Sequence, residues 1–175
     1  EREQQHSLHR WFDEGHGDYF GAFKLQSGSW RYVGSKMRGE SVERMVDKGD
    51  YVPFEDLVKW PRQKFYSGRA AYYYAQAWSM IDYLRRGEKL KKHWQPRYAH
   101  ILDDYEAVML LHGDGRRAVA TAFRDFSKKD WAVAATGVAG GASLALGAEE
   151  TTASGGAAGC GCFAFGSAAG AGGCS

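Results

Sequence analysis

Cysteine is almost absent from this chain. Its three cysteines, Cys160, Cys162 and Cys174, all lie near the C-terminal end of 175 residues. They therefore indicate neither a disulfide framework nor a redox compartment for the rest of the chain. An excess of one charge is also lacking, because 23 basic and 21 acidic residues are mixed along the sequence and give a net charge of +2. This balance argues against a nucleic-acid surface, which would concentrate positive charge.

The sequence also lacks an initiator methionine and a leader in which positive charge precedes an apolar run. We therefore interpret the chain as a fragment or a processed product, and no localisation is predicted from it. A length of 175 residues with 44% hydrophobic composition is enough to bury one core, so a single folded domain is expected.

Side-chain bulk and charge are scarce after Trp131. Residues 132–175 contain 12 glycines and 14 alanines among 44 positions, and Glu149 and Glu150 are their only charged residues. Such a stretch loses much backbone entropy on ordering and buries little in return, which predicts a disordered or loosely packed low-complexity tail. Its composition is also typical of GC-rich coding DNA read out of frame, so a frameshift product is one hypothesis. The longest apolar run, 132–146, is shorter than a membrane span and is broken by glycine.

Residues 1–131 form the predicted domain, and their periodicity indicates a mainly α fold. Helices are predicted at about 2–24, 40–47, 68–86 and 118–126, and a further pattern over 90–111 either starts or breaks at Pro96. Residues 25–32 are interpreted as a break that contains a short extended piece, and Pro53 is predicted to open a single helical turn.

The helix predicted at 68–86 carries the clearest apolar stripe. Ala71, Tyr74, Trp78 and Ile81 recur at spacings of three or four residues, which is typical of a buried helix face. Gly87 is expected to lie just past the end of this helix.

The densest chemistry lies between Trp11 and Phe20, where ten residues include four aromatics, three carboxylates, one histidine and two glycines. A helix would put His16 on an apolar face with Glu14 beside it. Gly15 and Gly17 would each cost such a helix about 1 kcal/mol relative to alanine. Their presence therefore predicts the close approach of another backbone or of a ligand.

The stretch from Trp11 to Phe20 resembles the W-x-x-E-G-x-A-x-Y element of gluzincin metallopeptidases, especially peptidase-MA-like bacterial domains of unknown function. Residues 74–84 and 118–126 are similar to helices that follow this element in those domains. The resemblance covers residues 10–131 and implies the helical C-terminal part of a zincin-like domain.

The resemblance implies a zinc site in the full-length parent, which would hydrolyse a peptide or protein substrate with metal-activated water. Its zinc is held by two histidines of a His-Glu-x-x-His helix and by one later glutamate, which is Glu14 here. Asp13 and Asp18 would support this ligand, and Tyr73 or Tyr74 would donate a hydrogen bond to the developing oxyanion.

The position of His16 is one at which these domains usually have an apolar residue. His16 is therefore either a core histidine with a partner or a polar residue added to the cleft. In the cleft it would support the metal ligand together with Asp13 and Asp18. Gly15 and Gly17 would face a helix that the family supplies from upstream.

The sequence departs from the family because it contains no His-Glu-x-x-His. In a parent protein this motif is expected upstream of residue 1. His6 and His9 could share a metal, but they lack the general-base glutamate and lie too close to Glu14 for the family's geometry. The chain alone is therefore predicted to hold zinc weakly or not at all and to be inactive.

Two alternatives remain open from the sequence. Glu14 could simply pair with Arg10 one helical turn earlier. The whole chain could also be a non-catalytic helical module, including a degenerate peptidase, that binds a protein or a glycan through aromatic side chains. No oligomeric state is predicted.

Overall fold

The computed structural model describes residues 8–90, 94–128, 130 and 131. The predicted tail at 132–175 lies outside these residues. Within them the chain forms two strands, β1 (Phe23–Gln26) and β2 (Ser29–Tyr32), and the helices α1 (Arg10–Gly21), α2 (Lys36–Asp47), α3 (Phe54–Leu57), α4 (Arg62–Phe65), α5 (Ala70–Leu90), α6 (Ile101–His112) and α7 (Gly115–Ala122). A short 3₁₀ helix over Pro96–Tyr98 precedes α6. The prediction of a mainly α fold is confirmed.

The long helix α5 is the centre of the fold. Helices α1 and α2 pack against it, and α6 packs against α7. The stripe predicted on α5 is buried at Trp78 and Ile81, and at Ala75 beside them, all of which are inaccessible to solvent. Its first two members differ, because Ala71 is exposed and Tyr74 is only partly buried. Other large side chains that fill the same core are Trp11, Phe65, Tyr83, Tyr98 and Tyr105.

Helix α5 runs four residues beyond the predicted end at residue 86. The expectation that Gly87 follows the helix is therefore wrong. An added Cβ at Gly87 would lie 2.7 Å from Cζ3 of Trp94. The glycine is explained by the indole ring that packs on it, and not by a left-handed backbone at a helix end.

The first helix is shorter than predicted, since it ends at Gly21. The chain then forms an antiparallel hairpin in which Phe23 pairs with Tyr32 and Leu25 pairs with Trp30. Ser27 and Gly28 connect the strands with φ angles of 50° and 78°, which is the geometry of a tight turn that matches the twist of two strands. The sequence predicted only an extended piece here.

Two further helices differ from expectation. Helix α2 begins at Lys36 after Ser35, and not at residue 40; the Ser41 hydroxyl donates to the Met37 carbonyl at 2.8 Å inside the helix. Helix α4 was not predicted, although it follows Pro61 and buries Phe65.

Two prolines and one aspartate lie at the starts of helical elements. Pro53 precedes the short helix α3, as predicted. Pro96 opens the 3₁₀ turn, so the long pattern over 90–111 breaks there. Helix α7 begins before residue 118 because the Asp114 carboxylate accepts a hydrogen bond from the Arg117 amide at 3.1 Å,. None of the described helices is long and apolar enough to cross a membrane.

Candidate functional site

At Gly15, α1 lies directly against the backbone of α5. An added Cβ there would lie 2.7 Å from the Ala77 carbonyl oxygen and 2.7 Å from Cγ1 of Ile81. The chain therefore supplies the close helix neighbour itself, which corrects the expectation that an upstream helix would do so. Gly17 has no such neighbour, because nothing lies within 4 Å of its added Cβ.

Glu14 precedes this contact and lies at the edge of the α1–α5 interface. The Tyr66 hydroxyl donates a hydrogen bond to Oε1 of Glu14. The Tyr74 ring, on α5, lies 6.3 Å from the Tyr66 ring between centroids. We call Glu14, Tyr66 and Tyr74 the carboxylate–phenol cluster. Tyr66 is 38% exposed, so the cluster opens to the surface.

The two phenols of the cluster keep their protons at neutral pH. Burial and the charge of Glu14 raise the pKa of Tyr74 to about 12. Burial and the hydrogen bond to Glu14 also raise the pKa of Tyr66. Each phenol therefore keeps one donor O–H, and that of Tyr66 is donated to Glu14,.

Guanidinium groups surround the phenols. The Cζ atoms of Arg10 and Arg62 lie 6.0 and 5.7 Å from the centre of the Tyr66 ring. Nη1 of Arg10 forms an ion pair with Asp13 at 2.5 Å. The interpretation in which Arg10 pairs with Glu14 is therefore wrong, since the guanidinium of Arg10 is directed to the neighbouring carboxylate.

Asp18 joins α1 to α2. Its carboxylate pairs with Nε of Arg38 at 2.9 Å, and both side chains are partly buried. The Arg38 guanidinium also lies 5.4 Å from the centre of the Tyr74 ring. Asp18 is therefore connected to the carboxylate–phenol cluster through Arg38, whereas Asp13 contacts it only through Arg10.

His16 is half-buried and has two partners. Its Nδ1 lies 2.8 Å from the Phe12 carbonyl, which can only accept, so Nδ1 carries the proton,. Its Nε2 then accepts from Arg85, whose Nη2 lies 2.8 Å away. Burial and the neighbouring Arg85 lower the pKa of His16. The structure thus gives His16 the partners of the first interpretation, although the residue is half-buried and does not belong to the core.

Tyr73 lies in a different environment from Tyr74. Its ring meets Trp60 edge-on at 5.0 Å and lies 6.2 Å from Phe65. Of the two tyrosines that the resemblance suggested, Tyr74 is the one beside Glu14. Tyr66 was missed because it comes from a separate short turn, and no local pattern marks it.

His9 is held by Tyr105. The His9 amide donates to the Tyr105 hydroxyl at 3.0 Å, so this hydroxyl donates its own proton to Nδ1 of His9, also at 3.0 Å. Burial, with the charge of Arg116, lowers the pKa of His9 to about 4. The Nδ1 lone pair is already occupied, and His6 lies outside the described residues.

Zinc does not fit the described residues by themselves. In that part of the chain no group of three or more His, Cys, Asp or Glu side chains could hold a metal ion. Glu14 offers one carboxylate, which accepts a hydrogen bond from the Tyr66 phenol.

A separate groove lies between the end of α1, the base of the hairpin and α5. Its volume is about 380 Å³, which is within the usual range of ligand pockets. It is lined by Tyr19, Phe20, Phe23, Leu84, Arg85, Glu88, Trp94, Ala99, Leu102 and Asp103.

No protein-family model, curated protein or solved structure matches this chain. The resemblance to gluzincins therefore stays a prediction from the sequence.

Proposed function

We propose that this chain is the helical C-terminal part of a gluzincin-like zinc peptidase, in which Glu14 is the carboxylate ligand. The observation that supports this proposal is the carboxylate–phenol cluster. It joins the glutamate and one of the two tyrosines that the resemblance selected, although 60 positions separate them in the sequence. The 175 residues alone are expected to be inactive, because they contain no His-Glu-x-x-His.

The residues of the cluster have distinct roles in this proposal. Tyr66 donates to Oε1 of Glu14 and so orients the carboxylate. Tyr74 keeps its proton at neutral pH and donates a hydrogen bond to the oxyanion of a peptide undergoing hydrolysis,. The Asp18–Arg38 ion pair holds α1 against α2 and so fixes the position of Glu14,.

Activity of a protein that includes the upstream coding sequence tests the role of Tyr74. With that sequence restored, hydrolysis of casein is measured for the unaltered protein and for Tyr74→Phe and Tyr73→Phe. Loss of one oxyanion donor predicts a fall in kcat of about 100-fold for Tyr74→Phe. Tyr73→Phe is the matched control and should leave kcat unchanged. An absence of hydrolysis, or equal effects of the two changes, would contradict the proposal.

The second candidate function is a non-catalytic helical module that binds a protein or a glycan. The groove favours it, because Phe20 is 58% exposed beside Trp94 while Arg85 and Glu88 offer polar groups,. Titration of defined oligosaccharides and short peptides, followed by the indole N–H resonances in NMR, tests this function. This function is supported by a ligand that shifts the indole N–H resonance of Trp94 and no longer binds after Phe20→Ala. If no probe shifts that resonance, the function is contradicted.

A further inference from the structure

The β1–β2 hairpin has an apolar face that the core covers only in part. Phe23 and Tyr32 form the pair at its base, and their rings lie 5.6 and 5.0 Å from that of Tyr19. The next pair on this face, Leu25 and Trp30, is 61% and 69% exposed. A cross-strand apolar pair is thus left in water, which is unfavourable unless a partner covers it.

The opposite face of the hairpin is basic. Lys24 lies directly across from Arg31, and like charges in this position destabilise a strand pair. Neither side chain forms an ion pair with any residue that the structure describes. Both faces of one short hairpin therefore carry an unfavourable feature that a suitable partner would relieve.

The backbone of the hairpin is also open. Among the described residues the sheet has two strands only, so each strand has one edge with unpaired amide and carbonyl groups. An extended segment that pairs with such an edge places successive side chains on opposite faces of the sheet. It would cover Leu25 or Trp30 with one set of side chains and neutralise Lys24 or Arg31 with the other.

We propose that the hairpin binds an extended peptide in which acidic and apolar side chains alternate, and that this peptide adds as a third strand. A flat surface such as a bilayer could contact only the apolar or the basic face at one time, whereas an added strand contacts both. The chain's own residues 132–175 do not supply the pattern, because their two carboxylates, Glu149 and Glu150, are adjacent. The proposal is independent of Glu14 and of the peptidase function.

NMR titration of the full chain with acetyl-Glu-Val-Glu-Val-Glu-Val-Glu-amide tests the proposal. We expect saturable shifts of the Leu25 and Trp30 amides. The double variant Lys24→Gln/Arg31→Gln should weaken binding about fivefold, because the cross-strand charge pair is lost at whichever edge the peptide occupies. Trp30→Thr keeps a strand-forming residue, and a similar loss of about fivefold is expected from it. Lys48→Gln/Arg117→Gln, which removes two exposed cations elsewhere, should leave the affinity unchanged.

Two further peptides decide whether the binding is strand addition. The isomer acetyl-Glu-Glu-Glu-Glu-Val-Val-Val-amide has the same composition without alternation, and a third peptide replaces each Glu with Lys. Both should bind at least about fivefold more weakly than the alternating acidic peptide. Equal binding of either one, or no saturable shift with the alternating peptide, would overturn the proposal. The proposal would also be overturned if the protein cosediments with phosphatidylglycerol vesicles and does not bind the peptide.

Discussion

Gly15 and Ala77 form a close backbone contact between α1 and α5. A methyl group at Gly15 would lie 2.7 Å from the Ala77 carbonyl oxygen, which belongs to the backbone and cannot rotate away. This contact places Glu14, the preceding residue, at the edge of the α1–α5 interface and beside the tyrosines of the carboxylate–phenol cluster.

Alanine at Gly15 and alanine at Gly17, both within α1, should have opposite effects. Gly15→Ala forces α1 away from α5 and is expected to lower the free energy of unfolding by about 1–3 kcal/mol. Gly17→Ala meets nothing within 4 Å, so its higher helix propensity should raise stability by as much as about 1 kcal/mol. Urea unfolding at neutral pH measures both. Equal effects of the two substitutions would be inconsistent with the helix contact at Gly15.

Stability should fall in mild acid because of His9. Its pKa is about 4 in the folded protein against 6.5 for an ordinary histidine, so the unfolded chain binds more protons between these values. The lowered pKa of His9 makes its full contribution to the free energy of unfolding above pH 6.5, and this contribution is as large as about 3 kcal/mol. It is lost as the pH falls towards 4.

Urea unfolding of the unaltered protein and of His9→Asn at pH 7, 5.5 and 4 isolates this contribution. Asparagine places an acceptor near the position of Nδ1 but does not titrate, so the variant should lose less stability between pH 7 and 4. His112→Asn, at an exposed site, is the control and should follow the unaltered protein. A His9→Asn profile parallel to that of the unaltered protein would refute the assignment.

A buried ion pair lies beneath the hairpin. Asp82 is 2% exposed, and its carboxylate lies 3.3 Å from Nε of Arg86, whose guanidinium lies 4.4 Å from the centre of the Tyr32 ring. Burial raises the pKa of Asp82. Arg86→Met should therefore destabilise the protein by about 3 kcal/mol, because it removes the cation that compensates a buried carboxylate.

The double variant Arg86→Met/Asp82→Asn separates this effect from lost packing. Asparagine has almost the same shape as aspartate but carries no charge, so most of the lost stability should return. Thermal unfolding followed by circular dichroism gives the comparison. If the double variant is as unstable as Arg86→Met, the cost comes from the arginine's packing against Tyr32 and not from the buried charge of Asp82.

Local patterns in the sequence predicted the parts of the fold that depend on local physics. The stripe through Trp78 needed only a helical period, and Pro53 and Pro96 act on their own backbone. The hairpin was harder to predict, because Phe23 continues the helical spacing from Tyr19. Its turn residues, Ser27 and Gly28, are a weaker signal than Asn-Gly.

The site was predictable only in part. The resemblance selected Glu14 and offered Tyr73 or Tyr74, and the structure brings only Tyr74 of the two beside Glu14. Tyr66 could not be predicted, because its hydrogen bond to Glu14 joins residues 52 positions apart and depends on how α4 packs. The prediction that Gly87 follows the helix was wrong for a similar reason. The Trp94 ring that packs on this glycine comes from the segment after α5.

Zinc content tests the central claim, that Glu14 is a metal ligand in a peptidase, most directly. The protein with its upstream coding sequence restored is purified, and its zinc is measured by mass spectrometry for the unaltered form, Glu14→Gln and the exposed control Glu40→Gln. We predict about one zinc per chain in the unaltered protein and in Glu40→Gln, and loss of zinc in Glu14→Gln. Stoichiometric zinc that persists in Glu14→Gln, or an unaltered protein without zinc, would contradict the claim.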